Sequence, residues 1–314
     1  MVTIVTDREV EQLSPGTAVA AMRAALLAEH RGDLVAPPRA ALDLAGGRLM
    51  VTAGRTDRWL GYRTYTPGLD AEQVVVLYED GRLRALGVGD RLGEYRVGGL
   101  GGAALDAIAR PDAHTLGLLG TGAQAYAQAW AIRAVRDLTE VTVYGRDPER
   151  RARFTRRLRD ELGLPAVAAD HPERAVRDRD LVVLATNSPT PVLDPAWLSP
   201  GTAVTTLGPK QRGRSEFDVS LAEAAALIVT DSVRQIDAYD PPFVLAGTPA
   251  RDRVVGLGAV LAGEAGPVGG GPRDALLGPA PIDPAAIRLY CSVGLAGTEP
   301  ALLRAVLDEA PDSV

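Results

Sequence analysis

The segment Gly120-Thr121-Gly122-Ala123-Gln124-Ala125 constrains this chain more than any other, because of what surrounds it. An apolar strand, Thr115 to Leu119, leads into it, a helical pattern, Ala123 to Val135, leaves it, and a second strand, Val141 to Tyr144, ends about 25 residues beyond the turn. Gly120 permits a tight turn, Gly122 lets backbone approach a pyrophosphate, and Ala125 keeps the helix close to the sheet. The free N–H groups at the start of such a helix suit phosphate. The turn predicts dinucleotide binding through Gly120, Thr121, Gly122, Ala123 and Gln124.

The same rhythm continues. Pro148 to Leu162 reads as a helix, and Leu181 to Ala185, Ala203 to Leu207 and Ala226 to Thr230 read as short β-branched runs without polar alternation. Strands buried on both faces look like this and belong to parallel sheets covered by helices. Upstream, Pro15 to His30 reads as a helix behind a Ser14-Pro15 start signal. Ala40 to Leu44, Arg48 to Ala53, Trp59 to Thr66 and Val74 to Tyr78 are separated by turn residues, notably Glu79-Asp80-Gly81, and suit an antiparallel sheet. The Gly/Pro-rich stretch Gly263 to Asp283 predicts irregular or mobile structure, and Arg288 to Asp308 a closing strand and helix. The fold class is therefore α/β, a Rossmann domain plus a smaller α+β domain.

The second strand ends at Tyr144-Gly145-Arg146-Asp147, where an acidic residue at the strand end would accept bonds from a ribose 2′-hydroxyl. Gly145 stands there instead, and Arg146 with Arg150 or Arg151 would pair with a 2′-phosphate, which favours NADP(H). NAD(H) stays open if Asp147 turns inward and the arginines are solvated.

A net charge of −6 with interspersed acids and bases argues against a phosphate-tracking groove for nucleic acid. Cys291 has no partner for an internal disulfide, and neither a signal peptide nor an apolar run of bilayer length is visible, so a cytoplasmic location is expected, with no membrane association. His30, His114 and His171 show no metal-ligand or Ser-His-Asp spacing, and no metal is expected. Cys291 reads as a small core residue.

Together with four further segments, the dinucleotide turn resembles the ornithine cyclodeaminase and mu-crystallin family, which also contains alanine dehydrogenases and ketimine reductases. The segments are Pro37-Pro38-Arg39, Leu60-Gly61-Tyr62-Arg63, Tyr95-Arg96-Val97-Gly98-Gly99 and Ser292-Val293-Gly294-Leu295-Ala296. The resemblance covers nearly the whole chain. It implies a homodimer in which residues 1–112 and 295–314 form the substrate and dimerisation domain around a Rossmann domain at 113–294. It also implies that Arg39 clamps a substrate carboxylate, that Arg96 lies between substrate and cofactor phosphates, and that Gln124, Thr186, Asn187, Leu207, Gly208 and Ser292 to Gly294 line the cofactor.

Two catalytic positions depart from the family pattern. Its active-site lysine is here Arg63, which stays protonated and serves to bind a carboxylate or polarise a carbonyl rather than to shuttle protons. Its aspartate aligns with Lys210, in Gly208-Pro209-Lys210 before Gly213-Arg214-Ser215-Glu216-Phe217. Lys210 would act as a general acid if burial lowers its pKa, or would instead point to solvent or to a cofactor phosphate. A cationic site disfavours ornithine cyclisation and implies an anionic or neutral substrate. The leading expectation is hydride transfer between NADP(H) and an imine or carbonyl carbon next to a carboxylate. An ammonia-releasing cyclodeaminase and a non-catalytic NADPH-binding protein are the alternatives.

Overall fold

A computed structural model describes residues 2–67, 72–264 and 283–309. The expected irregular stretch from Gly263 to Asp283 falls, over 265–282, outside the described residues.

An eight-stranded sheet carries the second half of the chain, and every neighbouring pair in it is parallel. Thr115–Leu119 lies near its middle, with Glu140–Tyr144 and then Ala166–Ala168 on one side. On the other side lie Leu181–Leu184 and then Ala203–Thr206, followed by Ile287–Cys291, Ala225–Thr230 and Val254–Gly256. The chain reverses direction across the sheet between Thr115–Leu119 and Leu181–Leu184, the switch point at which open α/β sheets take their ligands. Alternate residues feed different cores. Leu116, Leu118, Val141 and Val143 face one core, while Leu119, Val182, Leu184 and Val204 face the other. That two-sided burial is what the β-branched runs predict.

The other sheet has six strands, ordered Thr3–Thr6, Arg82–Val88, Val74–Glu79, Trp59–Tyr65, Gly47–Arg55 and Ala40–Leu44. It is antiparallel as expected except at one edge, where Thr3–Thr6 runs parallel to Arg82–Val88. Asp80 and Gly81, both at positive φ, turn the hairpin between Val74–Glu79 and Arg82–Val88. The edge strand Ala40–Leu44 leaves every residue exposed, including Leu42 and Leu44.

Between the sheets runs a helix that the sequence reading did not anticipate, Arg91–Ile108, with five glycines in its length. Glycine in a helix interior costs about 0.5–1 kcal/mol, so something must offset it. The offset is close packing. A Cβ on Gly98 would collide with the Ala127 backbone of the helix Ala123–Ile132, and one on Gly99 with the Ala18 carbonyl of the helix Pro15–Arg31. The three helices interlock, and one continuous apolar core runs from the six-stranded sheet into the parallel sheet.

The last described helix, Thr298–Glu309, returns to the six-stranded sheet. Gly61 makes room for it: a Cβ there would meet Pro300. Residues two apart in a strand share a face, so Arg63 is delivered to the start of that helix.

Candidate active site

The C-terminal ends of the parallel strands face the six-stranded sheet across a cleft of about 270 Å³. Arg39, Arg63, Arg96, Gln124, Leu207, Gly208, Lys210, Ser292, Val293 and Gly294 all line it, so ten of the sequence-predicted residues converge on one space.

The remaining predicted residues lie along the rim of the same sheet. Gly120 ends Thr115–Leu119 at φ +132°, and a Cβ there would press on the Ala185 backbone of the adjacent strand end. Gly122 is the N-cap of Ala123–Ile132, and no side chain caps that helix. A Cβ on Gly122 would face open space, its nearest neighbour being Arg150 Nη2 at 4.0 Å. The Gln124 Oε1 is buried without a hydrogen-bond partner. An uncapped helix N-terminus suits an anionic group, and the unsatisfied Gln124 oxygen beside it suits an N–H or O–H donor of the same ligand.

Around the turn, Thr121 packs beneath Gly145, where any Cβ would strike its methyl group, and the Thr121 carbonyl accepts from Arg150 Nε at 3.3 Å. Arg151 donates to the Gly145 carbonyl at 2.8 Å, with its guanidinium 5.8 Å from the Tyr144 ring centroid. Arg146 and Arg150 are exposed. Asp147 does not turn inward: it caps the helix Pro148–Leu162 by accepting from the Arg150 N–H at 2.9 Å. Asn187 is exposed beside Thr186.

Three buried carboxylates, none singled out from the sequence, hold this architecture. Glu216 takes the Thr186 N–H and hydroxyl at 2.9 and 2.8 Å on one oxygen, and the Leu207 and Gly208 N–H groups at 2.9 and 2.5 Å on the other. It thereby ties together the ends of two neighbouring strands. Its position in the Gly213-to-Phe217 segment is the sequence signal that marks it. Asp231 accepts from the N–H groups of Val293, Gly294 and Leu295 at 2.7, 2.8 and 2.9 Å, fixing the loop after Ile287–Cys291. An acidic residue directly after the run ending at Thr230 was the available clue.

The third is Glu299. Its Oε1 lies 2.7 Å from Arg63 Nη1 and 2.5 Å from Arg96 Nη2, with the carboxylate only 1% exposed. Burial alone would push this carboxyl up; the Arg96 and Arg63 guanidiniums outweigh it and hold it down at about 2. Nothing in the local sequence marks Glu299, because its partners are more than 200 positions away in the chain. Arg63 also stacks on Tyr65, at 4.2 Å from the ring centroid.

Arg39 approaches from the other side. Its guanidinium donates to the Val293 carbonyl and, at 3.4 Å, to the Tyr65 hydroxyl, while its backbone N–H is held by Gln235 at 2.9 Å. Tyr65 and Tyr239 complete this wall of the cleft. Lys210 sits on a two-stranded ribbon, Lys210–Gln211 with Arg214–Ser215, reversed through Gly213 at φ +81°. Its ammonium donates to the Gly208 carbonyl at 2.7 Å and the side chain is buried, so it does not point to open solvent. Desolvation there lowers its pKa below the ordinary lysine value. The histidines stay apart from the cleft: His30 meets Glu264, His114 precedes Thr115–Leu119, and His171 caps a short helix. Cys291 is fully buried in the core.

A parallel sheet with an uncapped glycine turn at its switch point, facing a second sheet across an arginine-lined cleft, defines a Rossmann protein with an added α+β domain. The chain belongs to the ornithine cyclodeaminase/mu-crystallin family, whose sequence profile matches residues 1–313. A Delta(1)-pyrroline-2-carboxylate reductase of Bacillus cereus is 35% identical over 155 residues, which is 49% of this chain and 47% of that protein. The chain thus spans about half the length of that curated relative. The probable ornithine cyclodeaminase of Bordetella pertussis has a TM-score of 0.83 at 27% identity, over 98% of this chain and 96% of that one. An archaeal alanine dehydrogenase dimer with bound NAD has a TM-score of 0.81 at 26% identity, over 98% and 95% of the two chains. Among the described residues, no helix is long and apolar enough to cross a membrane.

Proposed function

We propose that this chain is an NAD(P)-dependent oxidoreductase that moves a hydride to or from an imine or carbonyl carbon next to a carboxylate. The observation that carries the reading is the juxtaposition, across one cleft, of Gln124 at the open start of the nucleotide helix with the Arg39 and Arg63 guanidiniums. A nicotinamide dinucleotide, when bound, supplies or removes the hydride. In this reading Gly120 to Gln124 cradle the pyrophosphate, and Gly145, Thr186, Asn187, Leu207, Gly208, Ser292 and Gly294 border the rest of the cofactor. Arg96 lies between cofactor and substrate.

Arg39 and Arg63 clamp the substrate carboxylate, for which planar guanidinium forks are well shaped. Lys210 is the candidate proton donor. With Asp147 engaged as a helix cap, the exposed Arg146 and Arg150 are the groups beside Gly145 able to meet a 2′-phosphate, which favours NADP(H) over NAD(H). Residues 1–112 with 295–314 act as the substrate and dimerisation domain and 113–294 as the dinucleotide domain. The wholly exposed strand Ala40–Leu44, with Leu42 and Leu44 outward, is an unprotected sheet edge suited to pairing with a second copy.

The activity reported in the name of the Bacillus cereus relative agrees with this reading. Following NADPH and NADH absorbance with 2-oxo acids, alone and with amines, and with cyclic imino acids tests it. Oxidation of either dinucleotide is expected with at least one class; none with any would refute the reading.

A further inference from the structure

The cleft has a charge pattern that selects among the substrates of the proposed reaction, and the following rests on that oxidoreductase reading. Among the described residues, Arg39, Arg63, Arg96 and Lys210 line the cleft and no carboxylate does. The three nearby acids lie behind the cleft wall, each already bonded: Glu299 pairs with Arg63 and Arg96 through one oxygen, Asp231 accepts from three backbone N–H groups, and Glu216 from backbone and hydroxyl donors of Thr186, Leu207 and Gly208. An amine or a protonated imine is a cation. Placed here it would meet four cationic side chains against the single buried Glu299 that pairs two of them, with no carboxylate at the cleft surface to receive it, and like charges brought together in a desolvated site are strongly unfavourable.

A carbonyl is neutral and its oxygen gains negative charge as hydride arrives, which is what surrounding cations stabilise. We infer that the substrate is a 2-oxo acid reduced to a 2-hydroxy acid, with Lys210 as the proton donor to the carbonyl oxygen. The carbonyl carbon gains a hydride from the reduced nicotinamide dinucleotide, a C–H bond forms, and the C=O π bond breaks. The oxygen takes that electron pair and is protonated by the Lys210 ammonium, which recovers its proton from water when product leaves. The ribbon geometry suits the role. Lys210 is anchored by its own carbonyl, which accepts from Val244 N–H at 2.8 Å, and by the bond from its ammonium to Gly208, leaving two ammonium hydrogens for the cleft.

The test compares kcat/KM for 2-oxo acids without amine against Δ1-pyrroline-2-carboxylate, with the products identified as hydroxy or amino acids. At least a tenfold preference for the oxo acid is expected. A preference for the imino acid overturns the inference while leaving the oxidoreductase reading intact; turnover of neither overturns both. Lys210→Met should retain dinucleotide binding and thermal unfolding close to the parent chain, yet reduce oxo-acid turnover by about 100-fold, the lower end for a lost general acid. Unchanged turnover in this variant would overturn the Lys210 assignment. Lys210→Asp should shift the preference toward the imino acid. Calorimetry gives a readout independent of turnover: oxamate, an anion with a neutral carbonyl, should bind the NADP-saturated protein at least tenfold more tightly than proline, and the opposite order would overturn the inference.

Discussion

Arg63 Nη1 lies 2.7 Å from the buried carboxylate oxygen of Glu299, joining a strand near the N-terminus to the first turn of the last described helix. The same oxygen holds Arg96, so a single acid sets the positions of two cleft arginines. Glu299→Gln leaves both guanidiniums buried without their counter-charge and should cost about 3–5 kcal/mol of stability at neutral pH, read as a fall in the urea midpoint.

The pH dependence has a definite sign. The Glu299 carboxyl is held at about 2 in the folded chain against an ordinary 4.5. Ionised Glu299 therefore contributes stability that is fully present above about pH 4.5 and is lost as pH falls toward 2. The gap in urea midpoint between the parent chain and Glu299→Gln should narrow as the pH is lowered from 5 to about 3. A gap that widened would contradict the ion-pair account.

Glu216 fastens the ends of Leu181–Leu184 and Ala203–Thr206, and both of its oxygens only accept. An amide in its place turns an NH₂ group toward N–H donors. Glu216→Gln should lower stability by about 2–4 kcal/mol and weaken dinucleotide binding as well, because Thr186 and Gly208 lose their common anchor. Thermal unfolding and dinucleotide titration of the same preparation check both halves.

Coenzyme choice should follow the two exposed arginines beside Gly145. Replacing Arg146 and Arg150 together by Ala should weaken NADPH binding about tenfold more than NADH binding at low salt, since only NADPH carries the 2′-phosphate, while the lost bond from Arg150 to the Thr121 carbonyl acts on both coenzymes alike. Equal losses for the two coenzymes would contradict the assignment.

Arg39→Lys keeps the charge and removes the planar fork. It should raise the KM for the carboxylate substrate about tenfold with a smaller change in kcat, because a point charge replaces a two-pronged contact. Steady-state kinetics separates this from a general loss of fold.

What the sequence disclosed, it disclosed through local pattern. The runs from Thr115 to Leu119 and from Pro148 to Leu162 coincide with the elements found, because apolar spacing and capping chemistry are read within one element. Arg91–Ile108 was hidden because its five glycines, local helix weakeners, are justified only by neighbours supplied by two other helices. Thr3–Thr6 was hidden because a four-residue edge strand leaves too little alternation to see. In the site, Arg39, Arg63, Arg96 and Lys210 were nameable through motif resemblance, and they do meet in one cleft. Glu299 and Asp231, which orient those groups and the loop beside them, were not: their partners are remote in sequence and their residue types are ordinary on a surface. Their burial, visible only in three dimensions, is what gives them significance.

Dinucleotide binding depends on the glycine turn at the switch point of the parallel sheet. Gly122 faces open space, so Gly122→Val should fold with stability within about 1 kcal/mol of the parent chain while obstructing the place assigned to the pyrophosphate. Calorimetric titration of both proteins with NADPH and NADH is the direct measurement. Saturable binding of a dinucleotide by the parent chain, reduced at least 100-fold in Gly122→Val, is the predicted result. No binding by the parent chain, or equal binding by the variant, would contradict it.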